Sequence, residues 1–451
     1  MAEIIYGSLT YKNNSYPFML DGRRVYIVGK AWDYFDDYKD ADYEETIMGT
    51  TSANRQIMFL RCKFERSLFQ QKIWFSPIGY ILSCNNIGEP YDFTFEMLSF
   101  YADAINSFYP PKLAMETACD EDNWNGSMMI GFKPFNETEI SFNYKDSKCR
   151  INISRFVSYQ TFNTDVGKVN SHFSFEFENT RYGIELLQYW LALFDFISFI
   201  NYGTDITFDS VTLGKRRTDG LFEHCADAFI FSNREEYTQR NPQNAVTVED
   251  IPKDKLGSMF TKIASLRGND NRLPFYFPDV FRSRYRIDAT QWFITAMNFD
   301  GLFASSFPDF KQNHNEHFQT AKSEALNALN KVDKSAFSKK VSKYFNDCCD
   351  QINRYEGLLE EKLNFIVKTY HNPLEDILNS NLKKYNTQIS DYGKIYSKYR
   401  NKIAHGDVQP LSNDEIAVYV VLQAAVYFLL LKDIDLDGDT LKTIVNKLFL
   451  L

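Results

Sequence analysis

Before Tyr182, apolar and polar residues in this 451-residue chain alternate at a period of two. Ile57–Phe64, Ile140–Tyr144, Arg150–Ser154 and Phe173–Glu178 carry the alternation, and clusters of Asn, Asp, Gly and Pro part them. Such runs predict antiparallel strands with one wet face. Tyr182–Ile200 breaks the pattern. It is largely apolar, with Glu185, Gln188, Asp195 and Ser198 as its few polar positions, and predicts a helix packed against that sheet. Strand-like runs at Ile206–Phe208 and Ala228–Phe231 follow, then a helical piece at Leu256–Leu266.

Beyond the polar loop Arg267–Asn271 the period becomes helical. Thr290–Phe303, Glu316–Lys331, Ser335–Ile352, Tyr355–Tyr370, Pro373–Leu382, Ser390–Ala404, Asn413–Leu431 and Thr440–Leu450 have helical length and spacing. Ser412-Asn413-Asp414-Glu415 matches a capping box directly before an apolar run, which sets the start of that helix. The expected fold is α+β: a β-rich, antiparallel-sheet domain over residues 1–270, then an α-helical domain over residues 271–451.

Composition narrows the class. An apolar content of 44% and an aromatic content of 16% are ample for packed cores. Seven cysteines with no CxxC pair give neither a disulfide framework nor a zinc spacing and read as reduced thiols. Met1–Tyr6 shows no basic leader before a long apolar segment, so a cytoplasmic location is expected. Ile416–Leu431 comes closest to a membrane span, but it is shorter than the required ~20 residues. It also contains Gln423, so a buried core or interface helix is expected and no membrane partner.

The net charge of −9 argues against a chain-wide nucleic-acid surface, yet its distribution is uneven. From Tyr276 onward, basic and acidic residues balance at 22 each, so the acidic excess lies upstream. Lys383, Lys384, Lys394, Lys398, Arg400 and Lys402 face a single acid, Asp391, and this local excess can attract phosphates. A solvated helix face reads equally well for the lysines alone.

Inside that basic stretch lies Tyr399-Arg400-Asn401-Lys402-Ile403-Ala404-His405-Gly406. Cleaving an RNA phosphodiester without a metal needs a cation for the non-bridging oxygens and a group that moves protons near neutrality. Arg and His suit those roles. The two are five positions apart, about 140° around a helix, so the chain must bend for them to converge. Gly406 and Pro410 predict a helix end at which His405 can turn toward Arg400. Asn401 can bond the ring or a phosphate oxygen.

The Arg400–His405 segment resembles the R-x4-H motif of HEPN domains, and the C-terminal part looks like a HEPN domain of the ApeA type. The β-rich region looks like the domain that precedes it in ApeA-like anti-phage proteins. Trp292–Phe303 resembles the helix in which that family usually carries a Glu before Gly-Leu; Asp300 stands at that position here, shorter by a methylene. The resemblance implies a metal-independent, cofactor-free endoribonuclease in antiviral defence. Arg400, Asn401 and His405 would be catalytic, Asp300 supporting, and Lys394, Lys398 and Lys402 RNA-binding. It also implies a homodimer or higher oligomer facing two motifs onto one RNA, with Ile416–Leu431 as the buried partner, and a phage-derived protein as trigger. A non-catalytic HEPN scaffold whose β-rich domain binds a ligand or viral protein is the competing reading.

Other motifs carry less. Asp433–Asp439 matches the first half of an EF-hand loop, but position 12 is Ile444, so an acidic inter-helix turn is expected. His314, Glu316 and His317 do not form HExxH, and His224-Cys225 reads as a partly buried thiol beside a histidine. No Walker A or GxGxxG run is present.

Overall fold

The computed structural model describes residues 4–27, 43–67, 72–84, 91–118, 129–154, 169–231, 245–267, 277–278, 287–311, 316–333, 337–354, 359–407 and 409–450. Two compact units divide the chain, Met1–Phe281 and Arg282–Leu451. The first is built on antiparallel strands and the second on helices, so the mixed α+β expectation holds.

The strands of the first unit are β1 (Ile5–Tyr11), β2 (Asn14–Asp21), β3 (Arg24–Ile27), β4 (Tyr43–Thr51), β5 (Gln56–Ser67), β6 (Lys72–Ser76), β7 (Gly79–Ser83) and β8 (Thr94–Tyr101). They continue with β9 (Met115–Ala118), β10 (Met129–Phe132), β11 (Ile140–Tyr144), β12 (Ser147–Ser154), β13 (Asn170–Tyr182), β14 (Ser210–Arg216) and β15 (Phe222–Ile230). All but the β9–β10 pair join one 13-stranded sheet, ordered β11-β12-β13-β8-β14-β15-β7-β5-β4-β1-β2-β3-β6. A further pairing of β6 with β5 closes the last six of these strands into a barrel.

The long strand β5 makes that closure possible. Its Ile57–Leu60 half pairs with β7 and its Lys63–Ser67 half with β6. Between them Arg61 takes φ +47°, a conformation rare for a residue with a Cβ. Phe18, Phe59, Phe64 and Phe75 fill the barrel, with Phe59 edge-on to both Phe18 and Phe75. Such aromatic pairs add about 0.5–1.5 kcal/mol each beyond the area they bury.

Two helices cover the open part of the sheet, α3 (Leu186–Asn201) and α4 (Lys253–Leu266), which follow the short helices α1 (Asp103–Phe108) and α2 (Phe135–Thr138). Phe173, Phe175 and Phe177 alternate onto one face of β13, where Phe173 stacks on Phe260 of α4 and Phe177 meets Tyr189 of α3 edge-on. The helix expected at Tyr182–Ile200 is therefore the sheet's cover. Ile206–Phe208 is not a strand: it is a loop leading into β14, with Ile206 buried and Phe208 half-buried against Phe100 and Trp190. Of the boundary loop proposed at Arg267–Asn271, residues 268–271 lie outside the described residues.

The helical unit contains α5 (Ala289–Ser306), α6 (Glu316–Asn330), α7 (Lys339–Arg354), α8 (Leu359–Thr369), α9 (His371–Lys384), α10 (Tyr392–Ala404), α11 (Asn413–Leu431) and α12 (Gly438–Phe449). The Ser412 capping box is present, with Glu415 N–H donating to Ser412 Oγ (3.3 Å) and Ser412 N–H to Glu415 Oε2 (2.8 Å). From Ala417 onward every residue of α11 is buried, and α5, α9, α10 and α12 surround it. That burial takes up Ala417–Leu431 inside one chain, so α11 is a core helix. Gly183–Asn201 and Asn413–Leu431 are apolar and long enough to cross a membrane, yet they are mostly buried within their units.

Candidate active site at the end of helix α10

Helix α10 begins at Asp391, whose side chain accepts from Lys394 N–H (2.8 Å) and from Asn364 Nδ2 (2.8 Å). These donors, the Asn364 amide foremost, hold the Asp391 carboxyl below the usual carboxylate range. Gly393 sits where α10 crosses α8: a Cβ there would lie 1.8 Å from Glu360 O, so no side chain fits. Tyr392, Tyr396 and Tyr399 form the buried face. Trp292 of α5 stacks on Tyr396 and meets Tyr399 edge-on, with ring centroids 5.7 and 5.0 Å apart. Burial drives the Tyr396 hydroxyl well above its ordinary range, and the nearby Asp300 charge adds to the shift.

With the tyrosines inside, the helix pitch fixes the opposite face. Lys394, Lys398, Asn401 and His405 follow one another at i, i+4, i+7 and i+11, and all four are exposed. Spacing of this kind puts side chains along one stripe. The helix stops in a Schellman turn, in which Gly406 takes φ +78°, Gly406 N–H donates to Ile403 O (2.9 Å) and Asp407 N–H to Lys402 O (2.9 Å). His405 is the capping residue itself. Its ring makes no hydrogen bond or ion pair with Arg400 among the described residues. Tyr399 OH donates to Gln409 O (3.3 Å) and so ties down the chain that follows.

Arg400 leaves the stripe and turns inward. Its side chain is 26% exposed, and Nη2 lies 3.9 Å from Asp300 Oδ2 and 4.0 Å from Met297 Sδ. Arg400 Nε is buried without an acceptor. Asp300 has a second, closer cation, because Lys362 Nζ donates to its Oδ1 at 3.0 Å. Lys402 also points away from the stripe, with Nζ 3.7 Å from Glu415 Oε1.

The structure thus brings Asp300 to Arg400 and sets Lys394, Lys398, Asn401 and His405 in one exposed line. It does not bring Arg400 to His405 within a single chain, nor Lys402 to the lysines that flank it. The basic character narrows accordingly, since Arg400 and Lys402 each face a carboxylate. No family model matches this chain, and no curated protein or solved structure does either. Lys362 had no signal in the sequence: its partner lies 62 residues away, and nothing in Glu360–Phe365 marks the lysine as paired.

Elsewhere, Asp437 caps α12, accepting from Thr440 N–H (2.8 Å), so the Asp433–Asp439 run contains a helix cap, as an inter-helix turn requires. His314 lies outside the described residues, as do the side chains of Glu316 and His317. Cys225 is buried and its thiol donates to Leu213 O (3.2 Å), whereas His224 is exposed.

Proposed function

We propose that the helical unit is a HEPN-type ribonuclease domain and that the chain acts in antiviral defence as a metal-independent endoribonuclease. The observation that carries this reading is the exposed stripe Lys394, Lys398, Asn401 and His405, which ends in an imidazole held at a capped helix terminus. From Lys394 to His405, twelve residues, the stripe runs about 16 Å along the helix axis, long enough to follow several phosphates of a single strand. The lysines attract the backbone, Asn401 offers a hydrogen bond, and His405 is the proton carrier.

In the proposed step the ribose 2′-oxygen attacks phosphorus, the 2′-O–P bond forms and the P–O5′ bond breaks. One imidazole accepts the 2′-OH proton and a second, protonated, imidazole gives a proton to the leaving 5′-oxygen. The products are a 2′,3′-cyclic phosphate and a 5′-hydroxyl. A single chain supplies one His405, so a two-fold dimer supplies the pair. Asp300 would orient Arg400, whose guanidinium would meet the non-bridging oxygens. The N-terminal β-rich unit would sense the trigger, a phage-derived protein.

The competing scaffold reading draws on one observation, the inward turn of Arg400 toward Asp300 and Met297, which gives that residue a packing role. The two readings part in one experiment: purified full-length protein incubated with RNA and with DNA in excess EDTA, and its product ends analysed. The ribonuclease reading expects RNA alone to be cut, with cyclic phosphate ends, and His405→Ala to slow cutting about 10²–10⁴-fold. Arg400→Lys is also expected to be impaired, since it keeps the charge and loses the planar fork. RNA left intact by the triggered protein, or cut equally well by His405→Ala, contradicts it.

A further inference from the structure

A second cluster of chemically capable side chains lies on the sheet of the first unit, at the exposed end of β7 and β15. Cys84 follows β7, and its backbone N–H donates to Cys225 O (2.9 Å), which locks it against β15. Cys84 Sγ lies 3.6 Å from His224 Nδ1 and 3.7 Å from Nε2, and His224 Nε2 lies 2.9 Å from Asp227 Oδ1. The three ligand-type atoms all fall within 4.8 Å of one another.

This convergence is built by an irregularity. In a regular strand His224 and Asp227, an odd number of residues apart, would point to opposite faces. Opposite β14, however, Leu213 pairs with Ala226 and Gly214 with His224, so Cys225 is an extra residue. Such a bulge re-aims the side chains beside it. Cys225 turns inward to bond Leu213 O, and His224 and Asp227 emerge together. Arg55 then fixes the carboxylate from behind, with Nη2 3.8 Å from Asp227 Oδ2 and Nε donating to Ser83 O (2.5 Å).

We propose that Cys84, His224 and Asp227 form a binding site for a divalent cation of the zinc class. The donor set of one thiolate, one imidazole and one carboxylate is the mixed S, N, O set that zinc accepts. The spacing also fits: bonds of about 2.3 Å to sulfur and about 2.0 Å to nitrogen at a tetrahedral angle put the two atoms about 3.5 Å apart. Sγ is nearly equidistant from the two ring nitrogens, so a turn of the imidazole presents either one. Three protein ligands leave one position open, and the exposure of His224 lets water occupy it. Arg55 serves as the outer group that orients the carboxylate. The neighbouring thiol Cys225 is bonded inward and is not a ligand.

The test is titration of the metal-free full-length protein with Co(II), which reports thiolate ligation by a charge-transfer absorption and tetrahedral geometry by intense visible bands. The expected result is one equivalent bound with both signals, displaced by Zn(II), and the charge-transfer band lost in Cys84→Ser. Asp227→Asn is expected to weaken binding at least tenfold while keeping the band. Circular dichroism checks that the variants fold; if Cys84→Ser does not, His224→Gln takes its place and must lose the tetrahedral bands. Wild-type protein without a charge-transfer band, a charge-transfer band unchanged in Cys84→Ser, or tetrahedral bands unchanged in His224→Gln overturns the proposal.

Discussion

Cys84, His224 and Asp227 come from neighbouring strands and meet within one chain, although 140 residues separate the cysteine from the histidine. Arg400 lies in α10 and His405 caps it, five residues on, and the two share no hydrogen bond or ion pair among the described residues. The difference is geometric. Strand pairing fixes its residues from both sides, and a bulge can turn a neighbour to the wanted face; an α-helix holds its residues at a set pitch and separates positions that the sequence brings close. A cluster on a sheet can therefore be complete in one chain, whereas the helix end of α10 presents a row of groups that, on the proposed function, a second copy would complete.

That contrast predicts where substitutions will be felt. The largest expected effect is the loss of cleavage in His405→Ala, about 10²–10⁴-fold, without a matching loss of stability. An exposed helix-end ring with no hydrogen-bond partner among the described residues should change unfolding free energy by no more than about 0.5 kcal/mol. Denaturation of wild type and variant side by side checks this, and a large destabilisation would place His405 in the packing instead. Should EDTA slow cutting in the wild type, Cys84→Ser separates the causes: an EDTA effect that persists in that variant counts against metal-independent cleavage itself.

Next in size is Gly393→Ala. The new Cβ would meet Glu360 O at 1.8 Å and push α8 from α10. Overpacking of this kind costs about 1–3 kcal/mol, and here it should fall on the helical unit while the β-rich unit keeps its stability. Hydrogen exchange resolved by segment checks the prediction, and protection unchanged in α8 and α10 would contradict it.

The smallest expected effect is that of Asp391→Ala, which removes the α10 cap. Caps of this type contribute about 1 kcal/mol. The Asp391 carboxyl is held below its ordinary value in the folded chain, so its contribution is fully present above the ordinary carboxylate range and is lost as pH falls through the depressed value. Melting temperatures of wild type and variant should differ at pH 7 and converge in acid. A difference that grows as pH falls would contradict the assignment.

Much of the helical unit could be read from the chain because each helix carries its own period and punctuation. Ser412 and Glu415 announce α11, and Gly406 announces the end of α10 before any partner is known. The strands were legible where apolar and polar residues alternate, as in β13. Ile206–Phe208 was not, because a short apolar run reads alike in a strand and in a buried loop, and only the packing of Phe208 on Phe100 and Trp190 decides. Closure of the barrel through β5 and β6 depends on a change of partner at Arg61, which local pattern cannot express. Long-range pairing hid the remaining site residues. Lys362 reaches Asp300, and Cys84 reaches His224, only through the fold. Asp300 was singled out through its place in the Trp292–Phe303 helix, and it lies 3.9 Å from Arg400.

On the proposed function, a second copy completes the site at the end of α10. The most direct measurement introduces His405→Cys into the full-length chain, treats it with a short bis-maleimide, and locates the cross-links by mass spectrometry beside wild type. The account predicts a covalent dimer joined residue 405 to residue 405, because two rings that share one phosphate lie within roughly 10 Å. A chain that stays monomeric at micromolar concentration, or a dimer in which residue 405 never links to its counterpart, would contradict it.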